Sequence, residues 1–108
     1  MTRGDFVTVT MAGDFGKTRP ALVIQSDLFA KHASVTVLLV TGTPVNAALF
    51  RVTIQPDEHH GLLKPSQIMV DKTMTVARDR LGAPFGAAGD AVMVEVTRRL
   101  AVFLGIAG

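Results

Sequence analysis

Apolar residues in this chain come in short runs separated by breakers, a pattern of strands rather than helices until the last twenty residues. Phe6, Val7 and Val9 interleave with Thr8 and Thr10 and predict a first strand after the Gly4-Asp5 turn. Residues 11–18 read as a loop, with Gly13 and Gly16 as its freest points. Arg19-Pro20 then opens an unbroken run, Ala21-Leu22-Val23-Ile24, that predicts a buried strand over 20–25. Proline fixes its own φ and biases the residue before it toward an extended conformation, so Arg19 is expected at the mouth of that strand. Ser26-Asp27 suits the cap of a single helical turn through Leu28, Phe29 and Ala30.

The third run, 34–40, is β-branched and apolar and stops at the breaker cluster Thr41-Gly42-Thr43-Pro44. Residues 49–55 alternate: Phe50, Val52 and Ile54 point one way, Arg51, Thr53 and Gln55 the other, as in a half-exposed strand. Two short strands are expected at 67–70 and 73–76, around Asp71-Lys72. From Asp90 the period changes. Val92, Met93, Val96, Leu100, Phe103 and Leu104 form an apolar stripe opposite Glu95, Arg98 and Arg99, predicting a helix with Asp90 as N-cap and Gly105 as its stop. Short strands followed by one terminal helix predict an α+β, mostly β fold: a small, strongly bent sheet or barrel closed by that helix.

A length of 108 residues implies one domain, 1–108, with one core. At 48% hydrophobic with mean hydropathy +0.37 the chain is apolar for its size, which favours a homodimer that buries the surplus. A net charge of +2 and a pI near 9.5 permit nucleic-acid binding without demanding it. The absence of cysteine excludes disulfides and thiolate chemistry. No apolar run approaches the roughly 18 residues of a membrane span, and the N-terminus lacks the apolar stretch of a signal peptide, so no membrane association and a cytoplasmic location are expected. His59 and His60 are adjacent, so their side chains diverge, and they read as a solvated loop rather than a metal site. Neither metal nor cofactor is expected.

Gly16-Lys17-Thr18 resembles the end of a phosphate-binding loop, but position 11 is methionine instead of glycine and a proline follows where a helix should start. Arg3-Gly4-Asp5 reads as a turn before the first strand. Arg19 and Thr41 stand apart from these. Each ends a loop against a core strand, and both fit the same rim of the sheet. A guanidinium suits bidentate phosphate recognition, and a threonine hydroxyl can bond a phosphoryl oxygen. Chemistry alone leaves a structural ion pair for Arg19 and a turn hydroxyl for Thr41 as the alternatives.

Several blocks resemble the MazF/PemK (Kid) toxins, the endoribonuclease halves of bacterial toxin–antitoxin modules, along nearly the whole chain. Arg3-Gly4-Asp5-Phe6 is similar to the family's opening. The run from Thr18 through Arg19-Pro20-Ala21-Leu22-Val23-Ile24-Gln25 to Ser26-Asp27 is similar to its most specific block, and Val37-Leu38-Leu39-Val40-Thr41 to its third strand ending in threonine. Leu62-Leu63-Lys64-Pro65-Ser66, then Asp71 and Thr75-Val76, match more weakly.

The resemblance implies an SH3-like small barrel of the CcdB/PemK type with a C-terminal helix, paired as a homodimer. It implies sequence-specific, metal-independent cleavage of single-stranded RNA, neutralised by a cognate antitoxin. It implies Arg19 and Thr41 as catalytic, and Lys17, Thr18, Lys64, Ser66 and Asp71 as substrate-binding. With no Trp or Tyr, base stacking falls to Phe6, Phe15, Phe29, Phe50, Phe85 or Phe103, of which Phe15 in the loop of residues 11–18 is the best placed, its alternative being a contact with the partner subunit. The chain departs from relatives that carry arginines where it has Met69 and Met74 and an acidic residue where it has Pro65. Alternatives are a gyrase poison of the CcdB type, which would work through the tail Phe103-Leu104-Gly105-Ile106, and a catalytically silent binding module.

Overall fold

Six antiparallel strands build the sheet: β1 (Asp5–Thr10), β2 (Thr18–Val23), β3 (Ser34–Thr41), β4 (Arg51–Ile54), β5 (Ser66–Ala77) and β6 (Gly86–Ala87). Among the described residues one α-helix, α1 (Asp90–Phe103), follows. The computed structural model describes residues 1–11 and 17–107. The strand order is β4-β5-β3-β2-β1-β6, and the sheet curls into a half-barrel. No helix among the described residues is long and apolar enough to cross a membrane.

Because side chains alternate across a strand, the register sorts the apolar runs onto two faces. Phe6 pairs with Leu22 and Leu22 with Leu38, and this row joins Ile68, Val70 and Val96 of α1 in one core cluster. Val7 pairs with Ala21 and Val23 with Val37, and these join Val9, Val35 and Val76 in a second cluster on the other face. The continuous apolar runs of β2 and β3 thus follow from burial on both faces.

The two short strands expected around Asp71 are one strand, β5, twelve residues long. Leu38 pairs with Thr73 and Val40 with Ile68, so Leu39 alone faces residues 69–72. The extra residues form a bulge that bends β5, and Asp71-Lys72 sits in the bulge rather than between strands. The first half of β5 then pairs with β4 as well, Val52 opposite Ile68.

Ser26 caps the short 3-10 turn Asp27–Phe29 as expected, its hydroxyl accepting from the Leu28 N–H at 3.2 Å. The N-cap of α1 is Gly89 with φ 86°, not Asp90, which lies in the first turn where its charge still favours the helix dipole. Gly105, at φ 74°, terminates the helix, with the Ile106 N–H bonded to the Ala101 carbonyl at 2.8 Å. Val96 is fully buried, but Phe103 and Leu104 at the end of the expected stripe are half exposed. The Arg3-Gly4-Asp5 turn is structural. Asp5 Oδ2 accepts from the Thr2 N–H at 2.8 Å, while the Arg3 guanidinium donates to the Ile24 carbonyl and, at 2.7 Å, to Thr97 of α1.

Candidate active site

The last paired residues of β2 and β3 at one end of their ladder are Ala21 and Leu39. Beyond them the strands part. Thr18, Arg19 and Pro20 stay paired to β1 only, opposite Thr10, Val9 and Thr8. Val40 and Thr41 stay paired to β5 only, opposite Ile68 and Gln67. A proline is tolerated here because that stretch of β2 has an open edge and no partner for a missing N–H. Counting two residues past the last pair on each strand gives Arg19 and Thr41. They occupy matching positions on the two strands across the opening, and both line the same cleft.

A cleft of about 550 Å³ fills this opening. Its polar lining includes Thr18, Arg19, Thr41, Thr43 and Lys64, and its apolar lining Leu62, Leu63 and Phe85. Its charged lining among the described residues is Arg19 and Lys64, both cationic, a balance that suits an anion. Arg19 is exposed and has no carboxylate within ion-pair distance among the described residues. Thr41 Oγ1 accepts from the Thr43 N–H at 3.1 Å, which leaves its hydroxyl proton free to donate into the cleft. Thr41 is therefore a turn hydroxyl and a candidate donor at once. Lys64 lies across Gly42: a methyl group built there would collide with Lys64 Cε and approach Nζ to 2.8 Å. Its ammonium thus sits beside the Thr41-Gly42-Thr43 turn.

Ser66 lines the cleft but is almost fully buried, and its hydroxyl donates to the Lys64 carbonyl at 2.9 Å. It fixes the turn that carries Lys64 and keeps only acceptor capacity for a ligand. Lys17 is exposed where the chain enters β2 and does not line the cleft. Asp71 does not line it either; its Oδ1 is buried in the β5 bulge without a hydrogen-bond partner among the described residues. Phe15 lies outside the described residues. Met74 packs against the second core cluster, so that position serves packing in this chain.

The apolar wall was not legible from the sequence. It depends on the loop of residues 56–64, which Asp57 organises by accepting from the His59 and His60 N–H groups, each at 2.8 Å. The His59 carbonyl accepts from the Ala87 N–H of β6 at 2.8 Å, and the His60 ring meets Phe6 edge-on at 6.0 Å. The two histidines do diverge, but His60 is part of the packing rather than of a solvated loop. The backbone hydrogen bond from His60 is the largest influence on Asp57 and, with that from His59, holds its carboxyl below the ordinary value of 3.8. A depressed acid stabilises the fold above its unfolded pKa and loses that contribution as pH falls through the folded value. The amide resonances of His59 and His60 should accordingly shift on acidification with a midpoint below pH 3.8. A midpoint at or above that value would mean the turn does not hold the carboxylate.

Residues 2–104 match the family described as PemK-like, MazF-like toxin of type II toxin–antitoxin system. The chain is 44% identical over 109 residues to a protein named probable endoribonuclease MazF from Mycolicibacterium smegmatis, with both chains covered completely. Its fold is similar to that of a mycobacterial endoribonuclease solved in complex with its cognate antitoxin (TM-score 0.83, 23% identity, 100% of this chain and 98% of that one). It is similar also to MazE–MazF of Deinococcus radiodurans (TM-score 0.77, 22% identity, 99% and 98% covered). At those identities the two structures speak for the fold alone.

Proposed function

The chain belongs to the PemK-like, MazF-like toxin family, and from that premise we propose that it is an endoribonuclease toxin that cuts single-stranded RNA at the β2–β3 opening. The observation that carries this reading is the matching placement of Arg19 and Thr41 in an anion-suited cleft. In the reaction, the ribose 2′-oxygen bonds to the adjacent phosphorus and gives its proton to water, the P–O5′ bond breaks, and the departing 5′-oxygen takes up a proton from water. The products are a 2′,3′-cyclic phosphate and a 5′-OH end. Arg19 donates to the non-bridging phosphoryl oxygens, where negative charge grows in the transition state. The Thr41 hydroxyl bonds one of those oxygens and sets the angle of the phosphate, and Lys64 and Thr18 hold the flanking backbone. No imidazole or carboxylate lines the cleft among the described residues, so catalysis rests chiefly on charge stabilisation and positioning.

The family match and the 44% identity favour this reading over gyrase poisoning and over a silent binding module. The half-exposed Phe103 and Leu104, with Ile106 more exposed still, support a homodimer. A cognate antitoxin, carried by an acidic and partly disordered segment, would silence the enzyme by covering Arg19 and residues 11–18.

The test is cleavage of a long, mixed-sequence RNA by the purified protein in EDTA. Discrete fragments with 5′-OH ends are expected. Intact RNA, or cutting that needs an added divalent cation, would overturn the reading.

A further inference from the structure

A phosphate bound by Arg19 and Lys64 would leave the apolar lining residues Leu62, Leu63 and Phe85 without an occupant. Phe85 supplies a ring to this lining, 38% exposed. The ring is fixed from behind. It stacks on Phe6 at 6.0 Å between centroids and 22° between planes, and Phe6 is completely buried. The Phe85 N–H bonds the Phe6 carbonyl at 2.9 Å. The same cleft is lined by Leu63, 98% exposed, an apolar side chain held out in water. Gly61 makes this possible. Its φ of 71° turns the chain toward Leu62 and Leu63, and it has no Cβ to strike the Phe85 carbonyl. A rigid aromatic ring with one buried neighbour and one open side, next to cations, is how proteins hold an unstacked nucleobase.

We propose that Phe85 is the stacking platform for one of the two nucleobases flanking the scissile phosphate, with Leu63 as the second apolar contact. This rests on the reading that the cleft holds RNA. The platform side chains carry no hydrogen-bonding group, so this subsite ranks bases by stacking area and favours purines over pyrimidines. It also assigns base contact to a residue that no pattern in the sequence connects to Arg19.

The test uses a short RNA that the wild-type protein cuts, made uncleavable by replacing the attacking 2′-OH with hydrogen. 2-Aminopurine is placed at one or the other flanking position. Its fluorescence should fall on binding the wild-type protein at one of the two positions. Phe85→Leu keeps apolar contact with Phe6 but loses the ring. It should bind about tenfold more weakly and without that quenching, while kcat on the cleavable RNA changes less than KM. Leu63→Ala removes a side chain that packs on nothing, so it cannot fail by unfolding, and it should also weaken binding. Tight binding with no quenching at either position, or equal quenching in Phe85→Leu, would overturn the platform and leave the ribonuclease standing. Unchanged RNA binding by both variants with weakened antitoxin binding would assign the wall to the protein partner and overturn it too. A wild-type protein that neither binds nor cuts RNA would remove the underlying reading and the platform together.

Discussion

Arg19→Ala is expected to lower RNA cleavage by at least ~10²–10³-fold and to leave the fold intact. Two features separate the effects. Arg19 is exposed on a stretch of β2 paired to one neighbour only, and no carboxylate among the described residues depends on it. Its truncation therefore strands no buried partner and should change stability by less than ~0.5 kcal/mol, the usual range for a surface site. In the proposed reaction, however, its charge would stabilise the phosphoryl oxygens as they gain negative charge. Losing a donor there removes stabilisation made only in the transition state, so kcat should fall more than KM rises. Arg19→Lys restores the charge without the planar fork and should recover only part of the rate. Initial rates on a defined RNA, together with a thermal melt, check this. Cleavage by Arg19→Ala within tenfold of wild type would remove the residue from the reaction, and an unfolded variant would make it structural.

How much of this could be read from the sequence differs by element, for physical reasons. β2 and β3 were legible because both their faces are buried, which writes a continuous apolar run that loops cannot contain. Arg19 followed from Pro20, which biases the residue before it toward the extended conformation at the mouth of a strand. Thr41 followed from the breakers after it. The single strand β5 was not legible. Its bulge places Asp71-Lys72, two polar residues, in the middle, and a bulge breaks the period-2 pattern as a turn does. The Asp90 cap was misplaced by one residue because Gly89 can adopt φ 86° and begin the helix without a side-chain oxygen. Phe85, Leu62 and Leu63 lie in loops where no periodicity applies. The signals were Gly61 and Gly86, each with no space for a Cβ, but a glycine in a sequence does not say which carbonyl it lets approach.

Gly61→Ala should disable the cleft from outside its chemistry, and Gly42→Ala, in the lining of the same cleft, should not. At Gly61 two costs coincide. A φ of 71° places any L-residue in the left-handed region, about 1–2 kcal/mol above the normal one. The added methyl also collides with the Phe85 carbonyl and comes within 2.9 Å of its ring. Phe85 cannot yield cheaply, because its N–H is tied to β1 and its ring to Phe6. The loop of residues 56–64 must lift instead, loosening the His59–Ala87 hydrogen bond and carrying Leu63 and Lys64 away from Arg19. A loss of roughly 2–3 kcal/mol in stability is expected, with a KM raised by about tenfold or more. Gly42 lies outside the left-handed region, and a methyl there meets only the far end of the Lys64 side chain, which can swing into solvent. That variant should melt within ~0.5 kcal/mol of wild type and lose only what displacing one ammonium costs, a few-fold in KM. Thermal melts and KM for the two variants on one RNA decide the matter. If Gly61→Ala matches wild type in both, the loop is not what shapes the cleft, and the apolar wall must be held by something other than its contact with Phe85.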